Sequence, residues 1–136
     1  DHRDLHSFPT RRSSDLHVET FVKAYSQTYL QERVRILASN TGLIPNKVSI
    51  KTQKKRWGTC TANKQILLNW RLIFAPQEVI DYVIHHELCH LAHMDHSKSF
   101  WKLVTEFDPD YKSKKLWLKE NAQIIEWPYD SVNKTL

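Results

Sequence analysis

The chain has 136 residues, of which 40% are hydrophobic, five are tryptophan and two are cysteine, and it carries a formal net charge of +5. That is one domain's worth of globular sequence with a core to bury, not a disordered tail. No apolar run approaches the roughly 20 residues that span a bilayer and no secretory leader opens the chain, while Cys60 and Cys89 suit neither a disulfide framework nor a zinc ribbon, so a cytoplasmic setting with reduced thiols is expected.

Residues 1–16 show neither helical nor strand periodicity and hold three Arg, three Asp and three Ser with almost nothing to bury, so this segment is expected to have no fold. Its stretch Leu5 to Leu16 resembles the translated read-through of a sequencing adapter, which implies a non-native segment in front of an N-terminally truncated domain of residues 17–127. From His17, Val18, Phe21, Val22, Tyr25, Tyr29, Val34 and Leu37 recur at three- and four-residue intervals, predicting a long amphipathic helix that stops at Asn40-Thr41-Gly42. Lys47 to Thr52 and Gln65 to Trp70 read as strands, the second joined to Trp57-Gly58-Thr59-Cys60 by a turn at Thr61 to Lys64, and together they predict a small antiparallel sheet.

Pro76 suits the first turn of the next helix, and Val79, Ile80, Val83, Ile84, Leu88 and Leu91 form its buried stripe. Ser97 can cap a helix from Lys98 to about Phe107, and Asp108-Pro109 can start another through Tyr111, Leu116 and Leu118 towards Ile125. Residues 128–136 are expected to be an irregular tail. The fold class is α+β. Of two basic groups, Lys112, Lys114, Lys115 and Lys119 read as a solvated helix face, whereas Lys51, Lys54, Lys55 and Arg56 run directly into Trp57 and permit an anionic partner.

The chemistry is concentrated in His86-Glu87-Leu88-Cys89-His90. Residues four apart on a helix lie about 6 Å along the axis and roughly 40° around it, so His86 and His90 can grip one metal ion. Glu87, rotated about 100° from His86, falls beside the ion, placed to take a proton from a metal-bound water. A continuous helix would carry His96 about 15 Å beyond His86, so His96 can be a third ligand only if the chain turns after roughly His93, with Met94-Asp95 as the turn. His96 is favoured over His93, which lies on nearly the same helical face but about 10 Å along it. Three imidazoles with an open fourth position describe a catalytic zinc site, whereas a closed structural site would leave Glu87 without a task. His85 points away.

Several spaced motifs then carry a resemblance: Arg56-Trp57-Gly58-Thr59-Cys60, Leu68-Asn69-Trp70-Arg71-Leu72, Tyr82-Val83-Ile84-His85-His86-Glu87-Leu88-Cys89-His90, and His96-Ser97-Lys98-Ser99-Phe100-Trp101. Over roughly residues 20–121 the chain resembles the YgjP-like metallopeptidase domain, which is related to the SprT-like and WLM zinc proteases. The resemblance implies a small gluzincin-type zincin fold, zinc held by His86, His90 and His96, and Glu87 as the base that activates water for peptide-bond hydrolysis. Metzincins share the histidine spacing but place a glycine between the second and third ligands, and none stands there in this chain. Where the family has W-G-S-C, this chain has Trp57-Gly58-Thr59-Cys60, which keeps the hydroxyl.

Gly58 permits a close backbone approach, and an edge strand ahead of the metal helix can pair an extended peptide. Trp57 and Arg56 then either line the cleft or serve as core and surface. Peptides or proteins are the expected substrates. The alternatives are a nucleotide (UTP) diphosphatase, also implied by the resemblance although no Gly-rich phosphate loop supports it, and a SprT-like protease acting on DNA-bound proteins, for which no separate DNA-binding module is present.

Overall fold

The structure, a computed structural model, describes residues 13–126. It opens with a helix of 29 residues, α1 (Ser13–Thr41), about 43 Å long. The second half of α1 builds the core through Leu30, Val34, Leu37 and Ala38. Three side-chain contacts clamp α1 from its middle onward: Ser26 Oγ donates to the Trp70 carbonyl at 2.7 Å, Gln31 Nε2 donates to the Val48 carbonyl at 2.8 Å, and the Arg33 guanidinium forks onto both Asp81 oxygens at 2.7 Å.

The first half departs from the expected buried stripe. Val18, Phe21 and Tyr25 are 52%, 73% and 55% exposed, because a helix this long reaches past the small sheet it packs on. Ser13 to Leu16, expected to have no fold, are helical as well; extending a helix already nucleated downstream adds a backbone bond for each residue fixed. The remainder of segment 1–16 and the tail 128–136 lie outside the described residues. α1 stops where its sequence says it should: Gly42 takes φ +79°, in the left-handed region, and its N–H reaches the Ala38 carbonyl at 2.9 Å.

Three strands follow, β1 (Lys47–Lys51), β2 (Gly58–Cys60) and β3 (Gln65–Asn69), in the spatial order β1-β3-β2. The sheet is mixed, not antiparallel throughout. β2 and β3 form the expected antiparallel pair, with Gly58 opposite Leu68, but β1 pairs parallel to β3, with Ile50 also opposite Leu68. Two reversals of the chain return β3 to the direction of β1, and β3 then inserts between its two predecessors. Lys64, at φ +62°, closes the turn from β2 to β3.

Asn69 explains why the Leu68-Asn69-Trp70 and Arg56-Trp57 motifs occur together. It is fully buried; its Nδ2 donates to the carbonyls of Gln53 and Arg56, and its Oδ1 accepts from the Arg71 N–H and caps the 3₁₀ helix Trp70–Phe74. One side chain therefore pins the loop that leads into β2 and starts the turn that leads to the next helix.

That helix, α2 (Gln77–Cys89), begins one residue after Pro76, whose carbonyl accepts from Val79 and Ile80. Val79, Ile80, Val83, Ile84 and Leu88 are buried as expected, and α2 packs on α1, on β2, on α3 (Lys98–Phe107) and on α4 (Tyr111–Glu120). A short 3₁₀ helix, Ala122–Glu126, ends the described chain. No helix among the described residues is long and apolar enough to cross a membrane.

Candidate metal centre

α2 ends three to four residues earlier than expected, at Cys89. The N–H groups of His90, Leu91 and Ala92 bond three residues back, to Glu87, Leu88 and Cys89, which tightens the exit into a 3₁₀ turn. The chain then bends at Met94 and Asp95, the expected turn, and Ser97 Oγ accepts from the Phe100 N–H at 3.3 Å to start α3. The bend returns His96 over α2, and its Nε2 lies 3.4 Å from His86 Nε2. Ligand atoms of His86, His90 and His96 all fall within 4.8 Å of one another.

Aromatic packing holds the three rings in place. Phe100, fully buried, stacks on His90 with centroids 4.3 Å apart, and Trp101 stacks on His96 at 5.8 Å. His90 Nδ1 lies 2.9 Å from the His93 carbonyl; a carbonyl can only accept, so Nδ1 carries the proton and Nε2 keeps its lone pair for a metal. His93 thus enters the site through its backbone, and its ring is not in the cluster. His85 faces away and stacks on Phe107 at 5.6 Å. Its buried Nδ1 has no hydrogen-bond partner, and burial holds its pKa below the usual histidine value.

Burial favours the neutral, ligating form of His86 and His90. Burial, aided by the facing His90, His96 and Lys115, pushes the His86 pKa down to about 3, and burial also lowers that of His90. Glu87 moves the other way. It is 6% exposed, and burial pushes its carboxyl up to about 8 against the opposing pull of Arg56. The carboxylate presses on β2: a Cβ built on Gly58 would lie 3.2 Å from both Glu87 Cγ and Oε2, and 3.1 Å from Leu68 Cδ2. A side chain there would make Glu87 or Leu68 give way by a few tenths of an ångström, so contact rather than φ favours glycine. The donor set of three imidazoles, one with its tautomer fixed, fits a borderline ion such as zinc.

A pocket of about 280 Å³ adjoins the cluster. His86, Glu87 and Gly58 line it together with the apolar and aromatic Trp57, Tyr82, Val83 and Leu118, and so do the two cations Arg56 and Lys115. Trp57 is both things the sequence allowed: it packs partly against the core, tilted on Trp117 at 6.5 Å, and it lines the cleft. Arg56 lines the cleft as well. Sequence reasoning missed Tyr82 and Lys115. Tyr82 edges against His86 at 5.9 Å and stacks on Tyr111 at 6.3 Å, and Lys115 sits over the Trp101 ring at 4.7 Å. Helical spacing could have found Lys115, because Tyr111, Lys115 and Leu118 share one face of α4.

A trio of imidazoles from α2, its C-terminal cap and the bend that follows, beside a buried carboxyl, on a small sheet flanked by helices, marks a metallopeptidase of zincin-like fold. The model of the YgjP-like metallopeptidase domain matches residues 7–121, and the chain belongs to that family. The fold is similar to two solved metallopeptidase zymogens, abylysin of Pyrococcus abyssi and jannalysin of Methanocaldococcus jannaschii. Sequence identities are 21% and 17%; each match has a TM-score of 0.59, spans 68% and 67% of this chain respectively, and covers 94% of the other. No curated protein matches the chain.

Proposed function

We propose that this metallopeptidase is zinc-dependent, with His86, His90 and His96 as the metal ligands and Glu87 as the general base for peptide-bond hydrolysis. One observation carries the reading: the buried carboxyl of Glu87 lies beside three imidazoles whose ligand atoms cluster within 4.8 Å, with Gly58 packed closely against it. Bound zinc would supply Lewis acidity, acidifying water and polarising the scissile carbonyl. Glu87 accepts the proton of the attacking water and passes it to the leaving amine, a role suited to a carboxyl whose burial brings its pKa near neutrality. The hydrogen bond from His90 to the His93 carbonyl fixes the ring's orientation, as partners of metal-bound histidines do. Two unpaired thiols, half-buried Cys60 and buried Cys89, favour the cytoplasm as the working compartment.

The test is zinc-loaded protein incubated with casein and, separately, with UTP, against a Glu87→Gln control. Casein should be cleaved, and the control should retain zinc while losing about 100-fold or more of its rate. Release of diphosphate and UMP from UTP without proteolysis would replace the peptidase reading with that of a nucleotide hydrolase.

A further inference from the structure

The pocket beside Glu87 is asymmetric in charge. Its walls are apolar, and at about 280 Å³ it has room for one large side chain. Two cations border it, from different parts of the fold: Arg56 from the loop that Asn69 pins, and Lys115 from α4. Among the described residues neither forms an ion pair. Arg56 is exposed, and Lys115 rests on the face of Trp101. The one carboxylate lining the pocket is Glu87, already committed to the chemistry. Two cations that form no ion pair among the described residues, over an apolar cavity of this size, complement an anion carried on a short apolar stem.

Resting on the peptidase reading above, we infer that this pocket selects a residue bearing a carboxylate next to the scissile bond, with Arg56 and Lys115 as specificity-determining residues. Charge-assisted hydrogen bonds from a guanidinium and an ammonium reward a carboxylate over its amide. The carboxylate comes either from an internal Asp or Glu or from the end of a peptide chain, and both present the same group.

Matched fluorogenic peptides test this, identical except for Glu, Gln or Lys at the positions flanking the cleaved bond, together with a Gln peptide that ends beside that bond with a free or an amidated terminus. Zinc-loaded protein should favour Glu over Gln by about tenfold or more in kcat/KM, and the ratio should shrink as salt rises. A preference confined to the free terminus over its amide would assign the carboxylate to a chain end. Lys115→Glu should turn the order towards the Lys peptide, an inversion that partial unfolding cannot mimic. Equal cleavage of the Glu and Gln peptides, and of both termini, would overturn the inference and leave the peptidase intact. Cleavage of none of them would remove the peptidase reading itself.

Discussion

At the scale of single residues, Glu87 and Gly58 form the tightest dependence in the site. Because an added methyl at residue 58 would crowd Glu87 Cγ and Oε2 and Leu68 Cδ2 together, Gly58→Ala should displace the carboxylate by a few tenths of an ångström. Steady-state kinetics should show kcat lowered about tenfold, since small misplacements of reacting groups are expensive, while zinc affinity is unchanged. An unchanged kcat would mean that Leu68 alone yields. The sequence made Glu87 legible through its position between two histidines, and Gly58 through its adjacency to a tryptophan in a strand. It could not show their contact, which is set by the packing of β2 on α2 across 28 intervening positions. Lys115 was hidden for a different reason: it sits among other lysines, and charge counting without helical phase makes all of them look solvated.

At the scale of elements, local chemistry was readable and chain direction was not. Gly42, Ser97 and the Met94-Asp95 bend act through contacts within a few residues, and each occurs where the sequence places it. The parallel pairing of β1 with β3 depends on which neighbour β3 inserts beside, and the alternation of side chains is the same in either direction. The stripe on α1 likewise records helical phase but not which turns have something to pack on. Truncation separates the two halves of that helix. Leu30→Ala, at a fully buried position, should lower unfolding free energy by about 2–5 kcal/mol, whereas Phe21→Ser, at a position 73% exposed, should change it by no more than about 0.5 kcal/mol in chemical denaturation. A large loss at Phe21 would show that the first half of α1 is covered in solution.

At the scale of the whole molecule, stability should depend on alkaline pH and on metal. Burial pushes the Cys60 thiol from its ordinary value of 9.0 up to about 11, and burial raises the Tyr82 phenol too. A folded-state pKa above the unfolded one means that the native protein holds its proton longer, so this contribution is present below about pH 9 and lost as pH rises through 11. Denaturation midpoints should fall between those values, less steeply in Cys60→Ala. Metal acts on the folded state alone, and zinc at 100 times its Kd should add about 2.7 kcal/mol, raising the melting temperature of chelator-stripped protein. Whether three side chains from both sides of one bend make a single zinc site beside an independent base is decided by calorimetric titration of zinc into stripped protein. One equivalent should bind to the wild type, to Glu87→Gln and to His93→Ala, which keeps the backbone carbonyl, while His96→Ala should weaken binding by about tenfold or more. Full affinity in His96→Ala, or its loss in His93→Ala, would contradict the account.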